Sequence, residues 1–378
     1  MKIAFELPYY AHGARGASQY GENLVRAMGA LAPQDTFHAF TYFNQDYERH
    51  FARVAHLAAA NVLIDIPRWP QRLVNVLESR LHYPFIERRY LDPGSFDIFH
   101  TGGSHPISRH KTVIMVHGIS WGLGGIDPFF EAHLLPQVLR ADRVLSPSKC
   151  ALEFLLEHYP VDAKKCELVY YGVNHGVFRP VKEESVLGQA RKKYSLPGRF
   201  LLCVGPFQFR DNIELVLYTL RRNLDHHLLR DVKLVLVGGL EEYGALLQRR
   251  VRELGLEDRV VFTGYVPHAD LVLLYNLAEF YLHPSVFEEL GAQLLEASSS
   301  GCAVLASRAG GIEESVRESA LFFNPHQSEE FEKILFRALE SPSLRAELKE
   351  RSLESSRRFS WDEAARRTLE IYRDAIAA

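Results

Sequence analysis

Cysteine pairs, long apolar runs and a signal peptide are what this sequence lacks. Four cysteines stand at positions 150, 166, 203 and 302 of 378 residues, and none forms a Cys-x-x-Cys pair. This spacing argues against a zinc site and a secreted disulfide framework, and suits a reducing cytoplasm. No apolar run approaches the roughly 18 residues of a transmembrane helix, and the apolar N-terminal run is too short for a signal peptide. The sequence therefore predicts a cytoplasmic protein.

The sequence also lacks a large excess of charge of either sign. The chain carries 44 Lys and Arg against 47 Asp and Glu, so its formal net charge is −3. Without a basic excess, no nucleic-acid partner is expected, and without an acidic excess, disorder is not expected either. With 47% hydrophobic and 24% charged residues, the composition is typical of a globular protein.

Short apolar runs alternate with longer amphipathic stretches, a pattern that predicts parallel sheets with crossover helices and so an α/β fold. The predicted strands are Lys2–Leu7, Thr112–His117, Arg143–Ser146, Phe200–Gly205, Lys233–Gly238, Val260–Thr263, Phe280–His283 and Ala303–Ser307. The length corresponds to about two domains at roughly 150 residues each.

The alternation starts again near the middle of the chain. A polar stretch at Val181–Gln189 precedes a fresh strand at Phe200. We therefore predict a first domain at 1–180 and a second at 181–359. Ser360 followed by Glu363 forms a capping box for a final amphipathic helix at 360–378, which is expected to pack back on the first domain.

The stretch 283–297 contains the highest concentration of candidate functional residues. A strand ends at Pro284, a loop carries Glu288, and Gly291 opens a helix that contains Glu296. Unpaired amides at a helix N-terminus form an anion site that suits a diphosphate, and a carboxylate beside it can accept ribose hydroxyls. The alternative is that Glu288 and its neighbour Glu289 only complement the helix dipole.

Several segments together resemble a known family. They are the Glu288-x7-Glu296 spacing, Gly264–Pro267 (Gly-Tyr-Val-Pro), the loop Ala309–Gly311, the Phe-Ser-Trp start of the last helix, Ala141–Ser148 and the linker Gly172–Pro180. This ordered set resembles the retaining GT-B glycosyltransferases of family 4. The resemblance implies two facing Rossmann-like domains with parallel sheets, the second holding the nucleotide-sugar and the first the acceptor.

The resemblance also implies roles for individual residues. Glu296 would bind the donor ribose, Glu288 a sugar hydroxyl, and His117, at a strand end, would lie near the sugar. Gly16, in the first strand–helix loop, would let backbone approach the donor phosphates. The amides that would face the diphosphate are those of Gly291, Ala292, Gln293 and Leu294. For His117 the alternative is a hydrogen-bonded histidine at the end of a strand.

Arg210 matches the first member of the family's Arg-Lys pair, whose charge stabilises the leaving diphosphate in place of a divalent metal. No Asp-x-Asp pair stands at a strand end, so neither metal nor cofactor is expected. The second member is Asp211 instead of Lys. A reversed charge about 4 Å from a phosphate changes the interaction by roughly several kcal/mol. Either Asp211 points away, or the donor chemistry is altered, or the protein is a weak catalyst.

Other positions depart from the family as well. Ser18-Gln19 replaces Gly-Arg, residues 289–293 read Glu-Leu-Gly-Ala-Gln, and Gly118 replaces Asp after His117. Gly13-x2-Gly16 does not spell Gly-x-Gly-x-x-Gly, so a dehydrogenase is a weak alternative. The stretch from Arg68 to Tyr90 mixes cationic and aromatic residues. That stretch suits contact with anionic lipid, or else an exposed helix with snorkelling arginines.

The sequence thus predicts a metal-independent, retaining transfer of a hexose of mannose, glucose or GlcNAc type. The donor would be a GDP- or UDP-sugar, the acceptor a glycan or lipid-linked glycan in polysaccharide assembly, with peripheral membrane contact. The alternative is a weak or inactive relative that binds a nucleotide-sugar or acts as a scaffold.

Overall fold

The chain divides into two compact units. Residues Met1–Gly172 together with Trp361–Ala378 form the first, and Val173–Ser360 forms the second. The computed structural model describes residues 1–7, 15–40, 54–65, 95–102, 110–117, 119, 130–239 and 242–378. The cation–aromatic stretch from Arg68 to Tyr90 lies outside these residues, as does Gly118. No helix within the described ranges is long and apolar enough to cross a membrane.

The first unit is built on a seven-stranded sheet with the order β3-β2-β1-β4-β5-β6-β7. Its strands are β1 Lys2–Glu6, β2 Thr36–Phe40, β3 Val62–Asp65, β4 Ile98–Thr101, β5 Lys111–Met115, β6 Arg143–Ser146 and β7 Cys166–Leu168. Every pairing between these strands is parallel. The strand order reverses between β1 and β4, which is the position where open parallel sheets generally bind ligands.

Among the described residues, three helices and the C-terminal helix belong to this unit. They are α1 Arg15–Leu31, α2 Leu135–Arg140, α3 Lys149–His158 and the C-terminal helix Trp361–Ala377. The C-terminal helix packs against α1 and contributes Leu369, Ile371 and Tyr372 to the core that contains Phe5. Its apolar side chains recur every three to four residues, which buries one face. The prediction that this helix returns to the first domain is confirmed.

The second unit has a six-stranded parallel sheet with the order β10-β9-β8-β11-β12-β13. Its strands are β8 Arg199–Val204, β9 Val232–Val237, β10 Val260–Gly264, β11 Phe280–His283, β12 Val304–Ser307 and β13 Ala320–Phe323. Its helices are α4 Glu184–Lys193, α5 Ile213–Arg222, α6 Glu242–Glu253, α7 His268–Leu277, α8 Ala292–Ser299, α9 Ile312–Val316, α10 Ser328–Glu340 and α11 Pro342–Ser356. Here the order reverses between β8 and β11.

Both units confirm the predicted α/β class with parallel sheets. Four strands of the first unit (β2, β3, β4 and β7) and β13 of the second were not anticipated. The polar stretch Val181–Gln189 contains the start of a helix that the sequence analysis did not predict, because α4 begins at Glu184. Its Leu187 and Ala190 are buried among mostly charged neighbours, so the apolar face is too narrow to stand out.

Candidate functional site

The second unit places its reactive side chains at the switch point between β8 and β11. The loop after β8 carries Arg210 in a 3₁₀ turn, Phe209–Asp211, and the loop after β11 carries Glu288. The backbone amide of Val286 donates to the carbonyl of Arg210 at 2.8 Å, which fastens the two loops together. In open parallel sheets, ligands bind at this position.

Arg210 supplies a cation that is not neutralised by an ion pair. Within the described parts of the chain no carboxylate lies within 4.0 Å of its guanidinium, and its Nε is buried without a hydrogen-bond partner. Buried polar groups are normally paired, so an unpaired guanidinium at a crevice is suited to an anionic ligand.

Asp211 is occupied by its own turn. Its Oδ2 accepts the backbone amide of Gln208 at 2.6 Å and so caps the 3₁₀ turn. Burial raises the pKa of Asp211 to about 7, although the Gln208 amide and the Arg210 charge act in the opposite direction. Of the alternatives set out from the sequence, this geometry favours a carboxyl held by local backbone. The turn uses a short acceptor side chain where the family pattern has a cation.

The entrance to α8 depends on Gly291. Its φ is +81°, a left-handed conformation that favours glycine, and a Cβ there would lie 2.6 Å from Leu294 Cδ1. In the described structure the amides of Gly291, Ala292 and Gln293 have no acceptor. The amide of Leu294 donates to the Gly291 carbonyl at 3.0 Å. The first turn therefore already uses the Leu294 amide, and the role of the Gly291–Leu294 amides toward a diphosphate stays a prediction.

The Gly-Gly loop before α9 packs directly on the backbone of Glu288. The amide of Gly311 donates to the Glu288 carbonyl at 2.8 Å. Gly310 has φ +59°, and a Cβ there would lie 2.1 Å from the same carbonyl oxygen. Only glycine allows this approach, so the Ala309–Gly311 segment fixes the loop that carries the carboxylate.

The side chain of Glu288 lies beside a histidine that the sequence did not single out. Glu288 is 21% exposed, and its Oε2 is 3.9 Å from Nε2 of His283. Burial raises the pKa of Glu288, while the nearby Arg210 charge opposes that shift. Because His283 is the last residue of β11, it lies at the same sheet edge. Its position beside the carboxyl loop is the only sequence signal that could have identified it.

Glu296 lies inside α8 and is 6% exposed. Its Oε2 accepts the hydroxyl of Tyr275, from α7, at 3.2 Å. Burial and the Tyr275 hydrogen bond fix the direction in which the carboxyl group of Glu296 points. A group that accepts ribose hydroxyls must be oriented in this way. Arg210, Glu288, Glu296 and the free amides of α8 all belong to the second unit.

His117 and Gly16 belong to the first unit. His117 follows β5, and its Nδ1 is 2.8 Å from the Tyr171 hydroxyl, while its Nε2 is buried without a partner. Burial lowers the pKa of His117 to about 3, despite the opposing charge of Glu6, so the imidazole is neutral. Helix α1 begins at Arg15, which makes Gly16 its second residue, whereas the sequence placed Gly16 in the preceding loop. Residues 8–14 of that loop are outside the description.

Sequence reasoning missed two polar side chains at the switch point of the first sheet. Glu6 ends β1 and is 2% exposed, and its Oε2 accepts the hydroxyl of Thr101, the last residue of β4. A carboxylate ending an otherwise apolar first strand was the available signal. No group of three His, Cys, Asp or Glu in the described structure is arranged to hold a metal ion.

Comparisons with known proteins agree with this architecture. The family model described as "Glycosyltransferase Family 4" matches residues 14–177, and "Glycosyl transferases group 1" matches residues 189–355. The two matches together cover most of both units, and the chain belongs to the family 4 glycosyltransferases of GT-B fold.

A curated relative agrees with the same assignment. A D-inositol 3-phosphate glycosyltransferase of Acidothermus cellulolyticus is 30% identical over 250 residues, covering 64% of this chain and 55% of the relative. The chain spans about half or less of the length of the first curated relatives it matches.

Two solved structures share the fold over nearly the whole chain. The sucrose-phosphate synthase of Thermosynechococcus elongatus superposes with TM-score 0.79 at 22% identity, covering 100% of this chain and 99% of that one. Anabaena HepE, solved in complex with UDP and glucose, superposes with TM-score 0.72 at 18% identity, covering 98% of each chain.

Proposed function

We propose that this protein is a glycosyltransferase that moves a hexose from a nucleoside-diphosphate sugar to a glycan or lipid-linked acceptor, with retention and without a metal. The observation that carries the proposal is the unpaired Arg210 guanidinium on a loop that is hydrogen-bonded to the loop leading into α8. The amides of Ala292 and Gln293 at the start of that helix have no acceptor in the described structure. A guanidinium and helix-terminal amides together supply fixed positive charge without a metal.

The transfer reaction needs electrostatic stabilisation where negative charge develops. When the bond from the sugar to the diphosphate breaks, negative charge accumulates on the leaving phosphate oxygens. Arg210 and the α8 amides would stabilise that charge, and removing one such donor in other enzymes costs about 10²–10³ in kcat. The acceptor hydroxyl would attack from the face that the diphosphate leaves, which gives retention.

The remaining residues would hold the rest of the donor. Glu296, fixed by Tyr275, would accept the ribose hydroxyls, and Glu288 would accept a hydroxyl of the transferred sugar. His117 of the first unit would contact that sugar through its unpartnered Nε2. UDP is one candidate for the diphosphate part of the donor, because the structural neighbour HepE was solved with UDP and glucose. GDP is the other, and mannose, glucose and GlcNAc remain candidate sugars.

A thermal-shift panel of UDP, GDP, ADP and dTDP, each with EDTA and with magnesium, tests the donor site. A ligand at 100 times its Kd adds about 2.7 kcal/mol to the stability of the folded state. We expect one diphosphate to stabilise the protein in EDTA. Arg210→Gln should lose that stabilisation. Arg222→Gln, at the far end of α5 in an ion pair with Glu332, should keep it. Equal stabilisation of wild type and Arg210→Gln would contradict the proposed site.

A second candidate is a weak or inactive relative that binds a nucleotide-sugar. The observation that favours it is Asp211, whose carboxyl stands next to the only cation we place on the diphosphate. Turnover separates the two candidates. An enzyme releases nucleoside diphosphate from its sugar donor in the presence of an acceptor extract, and Glu296→Ala abolishes the release. A scaffold shows binding in the panel and no release with any donor.

A further inference from the structure

His283 has a contact on one ring nitrogen and none on the other. Its Nδ1 is 2.9 Å from the hydroxyl of Tyr281, two residues earlier on β11 and therefore on the same face of the strand. Both side chains are buried, Tyr281 at 0% and His283 at 6% exposure. Burial keeps the Tyr281 pKa well above its ordinary value, so the hydroxyl retains its proton.

The other nitrogen, Nε2, is buried and has no hydrogen-bond partner. Glu288 Oε2 lies 3.9 Å away, too far for a hydrogen bond but within reach of a small rotation of the Glu288 side chain. Burial, reinforced by the Arg210 charge, lowers the pKa of His283 to about 3. The imidazole is therefore neutral and carries one proton.

The position of that proton is linked to the direction of the Tyr281 hydrogen bond, because the two groups can exchange donor and acceptor roles. If the Tyr281 hydroxyl donates to Nδ1, the single imidazole proton sits on Nε2, which faces Glu288. A buried N–H with no acceptor is costly, so closing the gap to a carboxylate is favourable. The Glu288 backbone is held by Gly311, and its carboxyl accepts the backbone amide of Glu289. A carboxylate has further acceptor sites, so a side-chain rotation can bring one of them to His283 while the Glu289 contact is kept.

We infer that His283 is a positioning residue, which takes its tautomer from Tyr281 and donates Nε2–H to Glu288 when a sugar occupies the site. The inference rests on the proposed function, because it requires Glu288 to contact the transferred sugar. One oxygen of Glu288 would receive the His283 proton donor and the other would face a sugar hydroxyl. His283 itself would not touch the donor.

The test compares a nucleoside diphosphate with its sugar conjugate by calorimetry, using UDP with UDP-glucose or GDP with GDP-mannose, whichever pair binds wild type. His283→Leu removes the donor. It should leave the diphosphate Kd unchanged and weaken the sugar conjugate roughly tenfold or more. His283→Gln keeps an N–H donor and should restore part of the loss. His227→Leu is the control, because this exposed histidine precedes β9 and so lies near the amino ends of the strands, whereas His283 lies at their carboxyl ends. It should change neither Kd.

Tyr281→Phe provides a milder variant should His283→Leu fail to fold, and it should weaken the sugar conjugate in the same selective way. The decisive measurement is a double-mutant cycle with Glu288→Ala, which removes the acceptor. If His283 acts through Glu288, the His283 change has no further effect on the conjugate in the Glu288→Ala background. Additive losses, or an equal loss for diphosphate and conjugate, overturn the inference. If wild type binds no nucleoside diphosphate at all, the proposed function itself fails.

Discussion

The amide of Val286 donates to the carbonyl of Arg210 across 2.8 Å, so the loops after β8 and β11 form one backbone-bonded piece. Asn212 strengthens the same junction, because its Nδ2 donates to the carbonyls of Pro284 at 3.2 Å and Pro325 at 3.0 Å. The cation of the candidate site and the carboxylate loop are therefore positioned by backbone contacts, as a preorganised charge site requires.

Asn212 gives the first prediction. It has φ +53°, a left-handed conformation that asparagine tolerates better than alanine. Asn212→Ala should destabilise the protein by about 2–4 kcal/mol, because it adds backbone strain to the loss of two hydrogen bonds. Asn212→Gly loses the bonds without the strain and should cost less. Urea midpoints of the three proteins check the order, and equal midpoints would mean that the junction does not contribute.

Gly310→Ala should be more damaging. The new Cβ would lie 2.1 Å from the Glu288 carbonyl oxygen, and the φ of +59° disfavours any L side chain. The backbone must shift, at a cost of about 1–3 kcal/mol for overpacking in addition to about 1–2 for the dihedral. We expect a lower Tm and weaker nucleoside-diphosphate binding, because Glu288 and α8 move with the loop.

A second glycine, in a helix and away from other atoms, provides the control for that experiment. Gly188 lies in α4, and a Cβ there meets nothing within 4 Å. Gly188→Ala should raise stability by about 0.5–1 kcal/mol through helix propensity and leave nucleotide binding unchanged. A Gly310→Ala protein with wild-type Tm would show that the loop can relax without cost.

Strands buried on both faces were the parts of the fold that the sequence predicted best. Phe280–His283 and Arg143–Ser146 agree residue for residue, because Pro284 and Pro147 directly follow their short apolar cores and mark where each strand ends. β2 and β4 were missed since His38 and His100 interrupt their apolar runs. His100 is buried all the same, because the hydroxyls of Tyr20 and Tyr372 satisfy its two nitrogens. Such partners are distant in sequence.

The candidate site, too, could be predicted only in part from the sequence. Arg210, Glu288 and the helix start at Gly291 could be located because motif spacing fixes them on one chain segment or at one strand end. The roles of Asp211 and His283 could not, because they depend on which backbone amide or hydroxyl lies within 3 Å of each side chain. Those neighbours follow from the packing of loops.

The His100 contacts predict that the C-terminal helix depends on one hydroxyl. The Tyr372 hydroxyl lies 2.6 Å from His100 Nδ1, and both side chains are buried. Tyr372→Phe would leave a buried nitrogen without its partner, at a cost of about 1–3 kcal/mol. Tyr218→Phe is the control, because Tyr218 is 48% exposed and should change the urea midpoint little. Equal midpoints for the two variants would show that this contact does not hold the helix.

Asp211 predicts an unusual dependence of stability on pH. Its pKa is raised by burial from the ordinary value of 3.8 to about 7, so between these values the folded protein holds a proton that the unfolded chain has released. The contribution of Asp211 to the free energy of unfolding therefore falls as the pH rises from about 4 to about 7, and it stays low above pH 7.

Asp211→Asn keeps an acceptor for the Gln208 amide and cannot ionise. The gain in urea midpoint over wild type should be small at pH 4.5 and larger at pH 8. Diphosphate affinity should follow the same course, because a charged Asp211 opposes the field of Arg210. A gain that is constant across this range would mean that Asp211 is ionised throughout, and the carboxylate would then be a permanent competitor of the diphosphate for Arg210.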